Sequence, residues 1–217
     1  MIPWVQLDSA KIPGGGELRL KRRGEEFSIM LGTNELVNSR LSGSEEALAR
    51  LSIAKLGGLK TPKILIGGLG MGFTLRAALD VLGADARVSV AELVPEVVAW
   101  ARGPMAAVFR GCLDDPRVRV VEGDVGGIIL ESAAEWDAIL LDVDNGPEGL
   151  SREANDALYD PRGLARAHRA LTKGGVLSVW SRGPEPRFAK RLKAAGFLVE
   201  EARVRANAGH GGARHVI

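Results

Sequence analysis

From Lys63 onward, short apolar runs alternate with segments of helical periodicity. Such alternation is typical of parallel strands that are covered by helices on both faces of a sheet. The predicted strands are residues 63–68, 87–93, 117–124, 136–144 and 176–183. The pattern therefore predicts an α/β, Rossmann-like fold with a mostly parallel, doubly wound sheet.

The two flanks of this core follow other patterns. ELRLKRRGEEFSIML alternates around Gly24 and predicts a small N-terminal β-hairpin. In the next segment, Ser42 and Glu45 have capping-box spacing and predict the start of a helix. FLVEEARVRA and GARHVI predict a closing antiparallel pair at the C-terminal end. We therefore expect a hairpin segment over residues 1–41 and an α/β domain, with its first helix, over residues 42–217.

The composition limits the possible partners. A formal net charge of +2 in 217 residues gives no reason to expect a nucleic-acid partner. No apolar run is long enough to span a membrane, and the N-terminal residues do not resemble a leader peptide. Cys112 is the single cysteine, which excludes an internal disulfide, and the histidines lack metal-ligand spacing. We expect a cytoplasmic protein without a metal that acts on a small molecule, and the hairpin offers edge strands that a homodimer could pair.

Residues 64–79, ILIGGLGMGFTLRAAL, place glycines between a predicted strand and a predicted helix. Such a loop lets the backbone approach a ligand closely. Gly68, Gly70 and Gly72 form G-x-G-x-G, whereas a dinucleotide fingerprint would need glycine at Phe73. This spacing disfavours NAD, and the absence of a following G-K-[ST] excludes a P-loop. An ordinary tight turn between strand and helix remains an alternative.

Acidic residues stand at the carboxyl ends of the next predicted strands. Glu92 is suited to accept both hydroxyls of a ribose, and Asp124 is suited to accept a hydrogen bond from an adenine amine. Asp142 follows the apolar run WDAILL. Each acid alone could be a helix N-cap or an exposed strand end. Because they follow successive strands, they converge on the crevice where open sheets bind ligands.

Together these stretches resemble the class I S-adenosylmethionine-dependent methyltransferase fold, and within it the spermidine synthase family. The matching stretches are LIGGLGMG, VSVAELVPEVV, VVEGDV and WDAILLDVDNGP. The resemblance implies that Gly68, Gly70 and Gly72 pass the methionine-like part of the cofactor. It also implies that Glu92 holds the ribose and Asp124 faces the adenine. Asp142 would lie beside the sulfonium and the acceptor, as the catalytic and a cofactor-binding residue.

The chain departs from the family pattern at three places. Gly70 stands where spermidine synthases carry an aspartate in G-G-G-D-G-G. RLSGSEE replaces D-E-x-x-Y-[HQ]-E, with Ser44 in the tyrosine position and Glu45 in the His/Gln position, and Asp142-Val-Asp-Asn-Gly-Pro147 replaces D-x-x-D-P. These changes remove groups that bind a polyamine in that family. They favour a methyltransferase-like transferase that uses S-adenosylmethionine on an unidentified small acceptor.

Two alternatives stay open. The first is an aminopropyltransferase that uses decarboxylated S-adenosylmethionine in polyamine synthesis, and the second is a non-catalytic nucleoside-binding protein. In methyl transfer and in aminopropyl transfer alike, a nucleophile displaces sulfur from a carbon atom. The protein must therefore align the reactants and accept or direct the acceptor's proton. We expect Asp142 to orient or deprotonate the acceptor. Asp144, Asn145 and Tyr159 are expected to shape the acceptor rim.

Overall fold

The N-terminal part of the chain forms a four-stranded antiparallel sheet. The structure is a computed structural model and describes residues 2–143, 153–207 and 213–217. The strands of this N-terminal sheet pair in chain order and are β1 (Val5–Lys11), β2 (Glu17–Arg23), β3 (Glu26–Leu31) and β4 (Asn34–Asn38). The predicted hairpin is the central pair, β2 and β3. The sequence did not predict the outer strands, because β1 is largely exposed and β4, NELVN, contains only two apolar residues, which are adjacent.

A parallel five-stranded sheet forms the centre of the protein. Its strands, in chain order, are β5 (Lys63–Gly67), β6 (Arg87–Glu92), β7 (Val118–Glu122), β8 (Trp136–Leu141) and β9 (Leu171–Val179). In space the order is β7-β6-β5-β8-β9, and every neighbouring pair is parallel. The strand order therefore reverses at β5. In such sheets the ligand crevice lies outside the carboxyl ends of the strands at the reversal, between β5, β6 and β8.

Helices cover both faces of this central sheet. They are α1 (Gly43–Ala54), α2 (Phe73–Val81), α3 (Pro95–Arg102), α4 (Ala106–Phe109), α5 (Val125–Glu131), α6 (Glu153–Tyr159), α7 (Pro161–Ala170) and α8 (Pro186–Ala194). Alternate residues of β5 enter different cores: Ile64 and Ile66 belong to one hydrophobic cluster and Leu65 to the other. Because side chains alternate across a strand, this division shows that both faces are buried. The predicted doubly wound α/β fold is confirmed.

The C-terminal end forms an antiparallel hairpin, as predicted. Its strands are β10 (Arg203–Arg205) and β11 (Arg214–Val216). Val216 also forms an antiparallel bridge with Ser181, through backbone hydrogen bonds of 2.8 and 2.9 Å. The amide of Gly43 donates to the carbonyl of Ala206 at 2.9 Å. The C-terminal hairpin is thus fastened both to the end of β9 and to the start of α1.

The proposed boundary between residues 41 and 42 falls between β4 and α1 and stays a prediction. Within the described ranges, no helix has the length and apolar character needed to cross a membrane.

The turn from the glycine loop into α2 depends on close packing at Gly72. This residue has φ +73°, in the left-handed region, and precedes the first residue of the helix. A Cβ atom at this position would lie 2.5 Å from the ring of Phe109, which is almost fully buried. Gly70 has φ +50°, but a Cβ there would meet nothing within 4 Å. The two glycines therefore share a backbone conformation and differ in the space around them.

We predict that Gly72→Ala lowers the free energy of unfolding much more than Gly70→Ala. The left-handed backbone alone costs an alanine roughly 1 kcal/mol, which is the loss expected for Gly70→Ala. Gly72→Ala adds overpacking against Phe109, so its loss should be roughly 3 kcal/mol. Urea unfolding of both variants measures the difference. Equal losses would show that the contact with Phe109 relaxes without cost.

Candidate active site

The glycine loop lies directly against the end of β8. Gly68 has φ +92°, and a Cβ atom on it would lie 2.4 Å from the carbonyl oxygen of Asp142. The amide of Gly68 donates to the carbonyl of Ala91 at 2.9 Å, and the amide of Asp142 donates to the carbonyl of Gly67 at 2.9 Å. Only glycine fits at position 68. The ends of β5, β6 and β8 are thereby held together around one pocket.

Glu92 lies in this pocket with a buried carboxylate. Its Oε2 accepts the amide of Leu69 at 3.0 Å, and its Oε1 accepts the amide of Val94 at 2.9 Å. Burial raises the pKa of Glu92, while these backbone amides oppose the rise. Each oxygen carries two lone pairs, so the carboxylate can accept further hydrogen bonds from a ligand. Glu92 therefore stabilises the glycine loop through its hydrogen bond to Leu69 and also lines the cavity.

Asp124 lines the pocket from the end of β7 and is exposed to solvent. It is also the N-cap of α5, since its Oδ1 accepts the amide of Gly126 at 2.8 Å. The structural and the ligand-binding interpretations of this residue are therefore compatible. An N-cap aspartate keeps its second oxygen as a further acceptor.

Asp142 is surrounded by protein at the inner end of the pocket, and part of its surface faces the cavity. Its Oδ2 accepts a 2.6 Å hydrogen bond from the hydroxyl of Thr74, which is buried in the first turn of α2. Burial and the nearby carboxylate of Glu45 raise the pKa of Asp142 to about 7, and the Thr74 hydrogen bond opposes this rise. A carboxyl group with such a pKa can take up or release a proton near neutral pH.

Glu45, on the first turn of α1, is the second carboxylate of this part of the pocket. Burial raises its pKa, and the hydroxyl of Ser44, which donates to Glu45 Oε2 at 2.7 Å, opposes the rise. The expected capping box is wrong: the Ser42 hydroxyl contacts Glu46 Oε1 at 2.8 Å and makes no cap hydrogen bond. Glu45 is therefore free of a capping role and turns toward Asp142.

Sequence reasoning missed Glu45 and Thr74 as site residues. The sequence feature that could have identified Glu45 is its position in the D-E-x-x-Y-[HQ]-E pattern, where it stands in place of a histidine or glutamine, which are also polar. Thr74 carried a weaker signal, as a hydroxyl on the first turn after the glycine loop. Neither residue stands at a strand end, which was the criterion that selected the other acids.

The remaining wall of the pocket is apolar. Trp180, just after β9, contributes its ring, and its buried Nε1 has no hydrogen-bond partner within the described ranges. The N-terminal sheet and the turn after β1 contribute aliphatic side chains: Ile12, Leu18, Ile29, Leu36 and Val37. The pocket thus combines an inner pair of carboxylates with an aliphatic wall. That arrangement suits a ligand with an apolar chain and a positive charge.

The predicted rim residues do not join this group. Tyr159 is 3% exposed and packs edge-on against Phe188, with ring centroids 5.6 Å apart, in the second hydrophobic cluster. The structure does not bring it to the pocket. Asp144 and Asn145 lie outside the described residues, so their role stays a prediction. In the part of the chain that the structure describes, no three His, Cys, Asp or Glu side chains are grouped as metal ligands.

Curated proteins with a similar sequence share one description. No protein-family model matches the chain. A polyamine aminopropyltransferase of Streptomyces coelicolor is 31% identical over 150 residues, which are 65% of this chain and 27% of that protein. One from Mycobacterium tuberculosis is 33% identical over 146 residues, which are 63% of this chain and 27% of that protein. The chain thus spans about a quarter of the length of these relatives.

Solved structures agree on the fold. A spermidine synthase from Thermotoga maritima superposes with a TM-score of 0.74 at 17% identity, covering 97% of this chain and 71% of that one. A spermidine synthase in complex with the transition-state analogue AdoDATO gives a TM-score of 0.73 at 16% identity, with the same coverage. At such identities these comparisons establish the fold alone.

The expectation of a methyltransferase-like reaction is wrong. The seven curated proteins that match are all named polyamine aminopropyltransferases, which supports the alternative reaction. The predicted resemblance itself is confirmed by these proteins and by the solved structures. The chain is similar in sequence to polyamine aminopropyltransferases and shares the fold of solved spermidine synthases.

Proposed function

We propose that this chain transfers an aminopropyl group from decarboxylated S-adenosylmethionine to an aliphatic amine. The observation that carries this proposal is the pair of interacting carboxylates, Asp142 and Glu45, in a pocket that also has an aliphatic wall. Two neighbouring carboxylates in a low-dielectric site repel each other and favour a cationic ligand. An amine acceptor and a sulfonium donor are both cations at neutral pH. The names of the curated relatives support the same reaction.

The donor half of the site would be built from the strand ends. Glu92 has acceptor capacity left for the ribose hydroxyls, and the second carboxylate oxygen of Asp124 would accept a hydrogen bond from the adenine amine. Gly68 and Gly70 expose backbone to the cavity, and Gly72 starts the helix behind it. These residues fit an adenosyl group without a phosphate. The group would bring a carbon activated for displacement by its bond to positive sulfur.

The acceptor half would be built by α1 and the N-terminal sheet. The aliphatic residues of that sheet suit a methylene chain, and the carboxylates of Glu45 and Asp142 suit its ammonium group. An ammonium group must lose a proton before its nitrogen becomes a nucleophile. Asp142, with a pKa of about 7, can take up that proton near neutral pH and hold the amine in line. An aliphatic diamine is therefore the acceptor class that we propose.

Calorimetry and a turnover assay test this function. Decarboxylated S-adenosylmethionine should bind more tightly than S-adenosylmethionine, and addition of diaminobutane should release methylthioadenosine. Tight binding of adenosyl ligands without release of methylthioadenosine would indicate a nucleoside-binding protein without this activity. Preference for S-adenosylmethionine over its decarboxylated form would contradict the proposal.

We predict that Asp142→Asn lowers kcat for methylthioadenosine release about a hundredfold or more, because an amide cannot accept the acceptor's proton. Calorimetric affinity for the donor should change far less. Asp114→Asn is the matched control: Asp114 is exposed and pairs with Arg102 at 2.9 Å. Unchanged turnover in Asp142→Asn would remove its catalytic role.

We predict that Glu45→Gln lowers the pKa of Asp142. The negative charge of Glu45 helps to raise this pKa, so its removal lets the Asp142 carboxyl ionise at lower pH. An NMR titration of the Asp142 carboxyl in the ligand-free protein measures the change without turnover. Asp114→Asn, at an exposed site, should leave this titration unchanged. The same Asp142 titration in Glu45→Gln as in the unmodified protein would show that the two carboxylates are not coupled.

We predict that Gly70→Asp improves use of the decarboxylated donor. A Cβ at Gly70 meets nothing within 4 Å, and aspartate tolerates a left-handed backbone better than most residues. The added carboxylate would face the donor's aminopropyl ammonium and should lower the KM of the donor several-fold. Gly70→Asn is the isosteric control and should give no such gain. Equal KM values in the two variants would place the ammonium elsewhere.

A further inference from the structure

A chain of hydrogen bonds leads from the pocket carboxylate of Glu45 to the C-terminal hairpin. The Ser44 hydroxyl lies 2.7 Å from Glu45 Oε2 and 2.9 Å from His215 Nδ1. Ser44 is 1% exposed, so its hydroxyl makes these contacts away from bulk water. His215 belongs to β11 and is 171 residues away in the sequence. A contact between such distant positions requires the C-terminal hairpin to dock on α1.

His215 is fixed in place on its other sides. Its ring meets Trp180 edge-on, with ring centroids 4.6 Å apart, and its neighbour Val216 is bound on both backbone groups by Ser181. The ring is half-buried. Burial and the positive charge of Arg182 lower the pKa of His215. Glu45 lies on the opposite side of the Ser44 hydroxyl from this ring.

The Ser44 hydroxyl can connect these two groups in two ways, because it has one proton and can also accept. In the first arrangement a neutral Glu45 donates to Ser44, and Ser44 donates to an unprotonated His215 Nδ1. In the second, an ionised Glu45 accepts from Ser44, and Ser44 accepts from a protonated His215 Nδ1. The two arrangements differ by one proton moved from Glu45 to His215. No heavy atom has to move between them.

We propose that Ser44 and His215 are positioning residues that carry the acceptor's proton from Glu45 to the C-terminal hairpin. This inference rests on the proposed aminopropyl transfer. The acceptor ammonium gives its proton to Asp142 and becomes a free amine, and Asp142 returns to its ionised form by passing a proton to the neighbouring carboxylate of Glu45. Glu45 then passes a proton to Ser44 as Ser44 passes its own to His215 Nδ1, which leaves Glu45 ionised and His215 as imidazolium. The imidazolium finally gives its proton to water or buffer, so the half-buried ring returns to neutral.

Turnover of three variants tests the relay. With decarboxylated S-adenosylmethionine and diaminobutane, Ser44→Ala and His215→Asn should each lower kcat tenfold or more near neutral pH, with little change in the donor's KM. The deficit should shrink at alkaline pH, where more of the acceptor arrives as free amine. The asparagine in His215→Asn can still bond Ser44 but cannot carry a proton. His168→Asn is the matched control, since His168 packs on Phe197 and lies outside the pocket.

Wild-type kcat and pH profiles in both Ser44→Ala and His215→Asn would overturn the relay. Absence of turnover in the unmodified protein would instead overturn the proposed function.

An NMR titration of the histidine rings separates these two failures, because it needs no activity. Glu45→Gln should move the titration of His215 to lower pH, since it removes a negative charge joined through Ser44, and should leave His168 unchanged. In a protein that also carries Ser44→Ala, Glu45→Gln should shift the titration of His215 less. If Glu45→Gln leaves the titration of His215 unchanged, the two groups are not linked. That result would overturn the relay whatever turnover is measured.

Discussion

The pocket depends on a contact between two stretches of backbone, at Gly68 and Asp142. A single Cβ atom at Gly68 would lie 2.4 Å from the carbonyl oxygen of Asp142, so any other residue would separate β5 from the end of β8. The same short segment holds β6, through the bond from the Gly68 amide to Ala91. The ends of β5, β6 and β8 can therefore meet because position 68 has no side chain. Glu92 and Asp142 face a common cavity as a consequence of this contact.

A second constraint is the repulsion between Glu45 and Asp142. Each carboxylate receives a hydroxyl hydrogen bond, from Ser44 and Thr74 respectively, but burial outweighs these bonds and raises both pKa values. Removing a charge from water without a counter-ion is costly, so such a pair holds protons readily. A cation that enters the pocket relieves the repulsion. The electrostatic repulsion that destabilises the two carboxylates in the absence of a ligand therefore favours the binding of a positively charged ligand.

Local pattern predicted that the acidic residues after the strands would lie together, because strand ends in a parallel sheet meet at one edge. Glu92, Asp124 and Asp142 each follow an apolar run, and all three line the pocket. Glu45 escaped prediction because its spacing from Ser42 imitates a capping box, and only the rotation of α1 decides which way it faces. His215 could not be placed from sequence, since its position depends on how a short hairpin docks over α1 and β9. Tyr159 shows the opposite error, because an aromatic residue that was expected at the acceptor rim packs in the core.

The departures from the spermidine synthase pattern fall mainly on the acceptor side, and this distribution has a physical reason. Gly68 and Glu92, which we propose to contact the donor, also hold the backbone of β5 and β6 together, so a substitution at either position would lower stability as well. Glu45 and Ser44 lie on α1, where a side chain can change without disturbing the sheet. Ser44 is small, and the space beside a small residue is what admits the ring of His215 to the hydroxyl. Under the proposed function, Ser44 in the tyrosine position of that pattern would, together with His215, connect α1 to the acceptor's proton.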